Sequence, residues 1–213
     1  MARYKNGING PLSGKVGHVV AVNWRGIDYL RSLPEQSEKA PSQAQLYHWK
    51  AFGMVSAWLK PLKALIWIGF QIYKAGKTPM NEAISFIFKN ALIGEGAEKQ
   101  IDFSKAIFSR GELFISMIKE ILSLIDAILH IKWENAAESV FNQHTDLVTF
   151  IWYCPQNEKF VTFKDAAQRG DQEAILQLPA GFEGQELHGY MQCVNDAGNL
   201  VSTTLYLGVT IVT

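Results

Sequence analysis

From Asp146 to Thr213 apolar and polar residues alternate in short runs, each closed by glycine, proline or an Asn-Asp pair. Successive strand side chains point to opposite faces, so a period of two marks strands with one face buried. The runs are 147–154, 159–164, 174–178, 187–194 and 200–213. Turns fall at Pro155-Gln156-Asn157, Arg169-Gly170-Asp171, Ala180-Gly181 and Asp196-Ala197-Gly198. Upstream, Ala127, Leu129, Ile131 and Trp133 alternate with Ile128, His130 and Lys132, and a further strand is expected between Ile101 and Phe108. About seven strands with turns every 8–12 residues are the signature of an antiparallel, immunoglobulin-like β-sandwich. Residues 113–125 satisfy two periods at once. Phe114, Met117, Ile118, Ile121 and Leu122 fit a helix, and the stretch stays open between helix and strand.

The first hundred residues are patterned differently. Val16, His18, Val20, Val22 and Trp24 alternate with their neighbours, Arg25-Gly26 supplies a turn, and residues 27–33 return, which predicts a β-hairpin. Gly7, Gly10 and Gly14 lie ahead of it among Asn6, Asn9, Pro11 and Ser13, a composition expected of an irregular arm. Pro41, Ser42 and Gln45 form a capping-box pattern, after which Leu46, Trp49, Met54, Trp58, Leu62 and Leu65 recur at helical spacing. Pro61 lacks an N–H and is expected to kink this helix or begin another. A further helix is predicted over 81–92 through Ile84, Ile87, Phe88 and Ala91. The fold class is therefore α+β. Its expected division is a glycine-rich arm, hairpin and helical unit over 1–98, followed by the sandwich over 99–213.

Composition narrows the partners. Apolar residues make up 48% and charged residues only 19%, with 20 basic side chains against 20 acidic ones. A neutral chain lacks the electrostatic footprint of a general nucleic-acid binder, and low charge leaves room for self-association. Residues 52–73 are interrupted by Lys60, Pro61 and Lys63, and 113–133 carries Lys119, Glu120, Asp126, His130 and Lys132. Neither is expected to span a membrane. The opening residues are polar and show no apolar core of a secretory signal, so the expected location is the cytoplasm or a released particle. Cys154 and Cys193 are expected to be reduced and buried.

Motifs for catalysis do not assemble along the chain. Ser13-Gly14-Lys15 has Gly10 one residue too close for a phosphate loop, Val16 where the metal-binding hydroxyl belongs, and a strand pattern where a helix is needed. The five histidines, His18, His48, His130, His144 and His188, are scattered singly, and there is no CxxC pair or GxSxG elbow. No metal or cofactor is expected. Trp49, Trp58 and Trp67 lie nine residues apart, which on an ideal helix alternates faces. They are read either as core of the helical unit or as anchors for a neighbouring subunit.

Several short motifs resemble those of an uncharacterised Bacteroidota-type family. They are Ser13-Gly14-Lys15-Val16-Gly17, Trp24-Arg25-Gly26, Arg31-Ser32-Leu33-Pro34, Ile68-Gly69-Phe70, Ser109-Arg110-Gly111 and Leu205-Tyr206-Leu207-Gly208. The resemblance implies a glycine-rich opening, a helical middle and an immunoglobulin-like second half, and it implies no activity. Leu178-Pro179, Tyr190 and the turn at Asp196-Ala197-Gly198 also sit where a fibronectin-type domain has its corner residues. On that likeness Tyr190 bonds upstream backbone, while Trp133 and Trp152 are core. The favoured function is a non-enzymatic structural or interaction protein that forms a homo-oligomer or joins a larger particle. Its expected contact residues are Gly7, Gly10, Gly14, Val16, Val20, Trp24, Trp58 and Trp67, with the arm docking in cis or in trans. A ligand- or glycan-binding module using the sandwich is second, and an enzyme whose residues meet only in space is third.

Overall fold

Gly17 and Gly26, with φ of 54° and 85°, turn the N-terminal segment back on itself twice. Positive φ is available to glycine at little steric cost. The computed structural model describes residues 3–4, 11–24, 26–35, 39–73 and 77–213. In it, β1 (Arg3–Tyr4), β2 (Leu12–Val16), β3 (Val19–Trp24) and β4 (Ile27–Ser32) form one antiparallel sheet in chain order. Two expectations are corrected here. The run from Val16 to Trp24 is not one strand, because Gly17 and His18 form a two-residue turn between the paired Val16 and Val19. Nor is the opening arm wholly irregular, since Arg3 pairs with Ser13 and Tyr4 with Leu12. The second turn is held by Asn23, whose carboxamide oxygen accepts from the Gly26 N–H at 3.2 Å. Its amide group donates to Asp28 at 2.8 Å.

The chain divides into two compact units, Met1–Ser42 and Gln43–Thr213. The second opens with α1 (Gln43–Leu59), directly after Ser42. Pro61 sits inside a 3-10 turn, Lys60–Leu62, and α2 (Lys63–Gly69) carries on from it. The proline thus tightens one turn and the helical run continues for 27 residues in all. By length and composition that run is long and apolar enough to cross a bilayer, although Lys60, Pro61 and Lys63 fall within it. In this fold its Val55, Leu59, Leu62 and Ile66 are buried in protein core. Next comes α3 (Pro79–Asn90), where the Thr78 hydroxyl accepts from the Asn81 N–H at 3.1 Å and Pro79 fills the first turn.

Two short strands, β5 (Leu92–Ile93) and β6 (Gln100–Ile101), pair with each other. The strand expected over 101–108 ends at its first residue. Asp102 accepts from the Ser104 N–H at 3.1 Å and caps a 3-10 turn, Phe103–Lys105, an Asx-type bond that competes with extension. Residues beyond it are tied to the C-terminal segment. The Thr204 hydroxyl oxygen accepts from the Phe108 and Ser109 N–H groups at 3.0 and 2.8 Å.

Seven strands follow. They are β7 (Met117–Leu124), β8 (Ile128–Glu134), β9 (Leu147–Cys154), β10 (Lys159–Gln168), β11 (Glu173–Gln177), β12 (Glu186–Val194) and β13 (Leu205–Ile211). They pair as a three-stranded sheet, β11-β8-β7, and a four-stranded sheet, β10-β9-β12-β13. This is an immunoglobulin-like sandwich, as the alternation predicts. Within the open stretch 113–125, Met117–Leu124 is strand, paired with β8, and the residues before it are irregular apart from an isolated bridge of Leu113 to Ser202. Asp126 and Ala127, at φ of 66° and 56°, close that hairpin.

The central strands of the four-stranded sheet, β9 and β12, are buried on both faces. Val148, Phe150, Trp152 and Cys154 of β9 point into the sandwich with Trp133, Leu129 and Met191. Between them in sequence, Ile151 and Tyr153 point the other way, onto Val55, Leu59, Ile66 and Ile87 of the helices. The second unit is thus three layers: helices, four-stranded sheet, three-stranded sheet. For that reason the division expected at 98/99 does not coincide with the packing. The helices share their core with the sandwich, and the compact units part at 42/43.

Candidate functional site

Antiparallel partners that sit directly opposite share a face, so the register of the N-terminal sheet sorts its side chains. One face holds Val20, Val22, Trp24, Ile27 and Tyr29, edged by Lys15 and Arg31. The other holds Val16, Val19, Ala21 and Leu30. Among the described residues from 11 to 42 only Ala21 is buried, whereas Leu30 is 63% and Ile27 59% exposed. β4 pairs with β3 on one side and stands at the sheet's edge.

Within the second unit a cleft of about 480 Å³ opens between α1, the β6 turn and the end of β9. Its aromatic wall is Trp58, Phe103 and Tyr153, with ring centroids 4.9 to 5.8 Å apart and Tyr153 edge-on to Trp58. Met54, Ala57 and Ile101 add aliphatic surface, and Gln100 and Glu158 supply polar groups. Glu158 takes a left-handed backbone, φ 51°, in the turn after β9. Burial pushes the Tyr153 phenol above its ordinary pKa, the Trp58 indole N–H pulls the other way, and the Glu158 carboxylate reinforces the rise. Tyr153 is therefore a neutral phenol at physiological pH. The Trp58 Nε1–H is enclosed and lies near the Tyr153 phenol, but among the described residues it meets no acceptor in full hydrogen-bonding geometry.

A third polar feature is structural. Arg169 and Asp146, each 1% exposed, form an ion pair at 3.3 Å inside one end of the sandwich. Arg169 also donates to Asn142 and to the Phe114 carbonyl, and its own carbonyl accepts from Trp133 Nε1 at 3.0 Å. These bonds join the approaches to β7 and β9 to the end of β10. With its guanidinium consumed there, the Arg169-Gly170-Asp171 turn offers no free cation.

The expected contact residues fall in separate places. Gly7 and Gly10 lie outside the described residues. Gly14, at φ 112°, is within β2, where Ser13-Gly14-Lys15 forms strand and no helix N-terminus follows. Val16, Val20 and Trp24 belong to the N-terminal sheet. Trp58 is drawn into the cleft, while Trp67 is exposed on α2. The residues missed from sequence are Phe103, Tyr153 and Glu158, which no local spacing connects to Trp58. Tyr190 donates to a backbone carbonyl as the corner likeness implies, but the acceptor is Phe103, 2.8 Å away and 87 residues upstream. Both cysteines are buried and unpaired, with Cys193 pushed up in pKa by burial. Among the described residues no three His, Cys, Asp or Glu side chains gather as metal donors.

No curated protein matches the chain. A family model does match, over residues 11–208, across both compact units and the motifs from Ser13-Gly14-Lys15 to Leu205-Tyr206-Leu207-Gly208. The chain belongs to DUF6266, a family of unknown function.

Proposed function

We propose that the protein is a structural or interaction protein that self-associates through the sheet of its N-terminal unit. The observation that supports this is an apolar sheet with exposed residues on both faces, a single buried side chain and an edge strand carrying Ile27, Tyr29 and Leu30. Sheets gain stability by burying at least one face, and a unit of this size has little core of its own to offer. Apolar area that the unit does not bury internally is stabilised by a neighbour. Among the described residues no strand pairs with the outer edge of β4, which offers a second copy the chance to extend the sheet by β-augmentation. Such pairing would build a homo-oligomer or join the protein to a larger particle.

Sedimentation of the full chain at micromolar concentrations tests this. The expected result is a defined oligomer that Leu30→Lys on β4 converts to monomer, with the thermal midpoint of the second unit unchanged, because a charge on an edge strand opposes pairing. A wild-type chain that stays monomeric would mean that the sheet is covered from within, and the reading fails. The cleft of the second unit favours a second role, small-molecule binding.

A further inference from the structure

We propose that the cleft walled by Trp58, Phe103 and Tyr153 is a binding site for a small organic cation, an ammonium or guanidinium group on an apolar frame. Its volume of about 480 Å³ suits a ligand of drug-like size. Of the residues lining it, Glu158 is the one acidic side chain, and none is basic. Among the described residues Glu158 makes no ion pair, so its carboxylate is available to a ligand. Aromatic faces carry the negative lobe of the ring quadrupole, and they attract a cation most where water is partly excluded. The neutral phenol of Tyr153 lines the cleft without adding charge. Gln100, at the rim, offers an amide for orientation. Glu158 lines the cleft from the turn after β9, on a left-handed backbone at φ 51°. An anion would meet carboxylate and ring faces of the same sign, and a purely apolar ligand would leave Glu158 unused. The arrangement thus selects by charge as well as shape.

The test uses full-length protein, with isothermal titration and tryptophan fluorescence as readouts. Three probes share one ring and differ in charge: benzyltrimethylammonium, benzyl alcohol and benzoate. The cation is expected to bind about tenfold more tightly than the alcohol, with benzoate weakest. Glu158→Gln, in an exposed turn, is expected to bring the affinity for the cation to within about twofold of that for benzyl alcohol. Ala57→Leu, from an exposed helical position, fills the cleft and is expected to weaken all three probes. Equal affinity for the three probes, no saturable binding of the cation, or binding indifferent to both substitutions would overturn the assignment. The oligomer experiment on β4 neither supports nor weakens this result, so the two proposals fail separately.

Discussion

Gly189 shows how a single missing side chain sets the sandwich core. It lies opposite Trp152 in the β12–β9 register, and a Cβ built on it would stand 2.5 Å from the indole ring. Gly189→Ala is expected to displace Trp152 and cost about 1–3 kcal/mol, the usual range for overpacking, read by urea unfolding. His188, the next residue back, faces the other layer. Its Nδ1 lies 2.8 Å from the Tyr206 hydroxyl, and its ring stands tilted against Phe103 with centroids 4.8 Å apart. Burial lowers its pKa below the ordinary value of 6.5, although Glu186 and Asp102 oppose the shift. The folded state therefore binds fewer protons at this site than the unfolded chain. The stability it contributes is complete above the unfolded value and is lost as pH falls through the folded one. Thermal midpoints measured from about pH 7 down to about pH 5 are expected to fall less for His188→Gln than for wild type. Neither role was legible in sequence. His188 and Gly189 look like ordinary strand residues until the register supplies Tyr206 and Trp152.

At the level of elements, two strands differ from the rest because protein covers both their faces. β9 and β12 lie between the helices and the second sheet, whereas β4 is exposed along its length. Hydrogen exchange is expected to be slowest in 147–154 and 186–194, near the global limit, and fast in 27–32 of monomeric protein. Protection of 27–32 that rises with protein concentration would mark assembly. The alternation made most of the sandwich readable because its turns are rich in glycine and its inward faces are apolar. It failed at β7 for a physical reason. Leu122 and Leu124 are apolar on the outward face and Ile121 on the inward one, so period two is erased and a helical stripe can be drawn through the same residues. At 101–108 the apolar pattern belonged to a segment packed under the helices, where Ala106 and Phe108 are buried without a ladder. Pro61 marked a real irregularity, but as a 3-10 turn inside one continuous run.

On the scale of the molecule, the sequence suggested a helical half and a β half, and the packing joins them. Gly69 explains part of this closeness. A Cβ there would stand 2.2 Å from the Phe108 carbonyl oxygen, and the Arg110 N–H donates to the Gly69 carbonyl at 2.9 Å. The Ile68-Gly69-Phe70 and Ser109-Arg110-Gly111 motifs therefore meet in space, something that linear reading could register only as two separate triplets. The cleft was illegible for the same reason, since its rings and its carboxylate come from α1, the β6 turn and both sides of the end of β9. What the composition did convey was low charge and abundant aromatic residues, which the fold spends on a double-sided core in one unit and an exposed sheet in the other.

The doubly covered sheet has a consequence for how such a chain can change over generations. A replacement at Phe150 or Trp152 is tested by the facing strands, and one at Ile151 or Tyr153 by the helices, so neighbouring positions answer to different judges. Variation along β9 then has to be concerted with two distant stretches of chain, whereas the outward positions of β4 are free to drift unless a companion molecule restrains them.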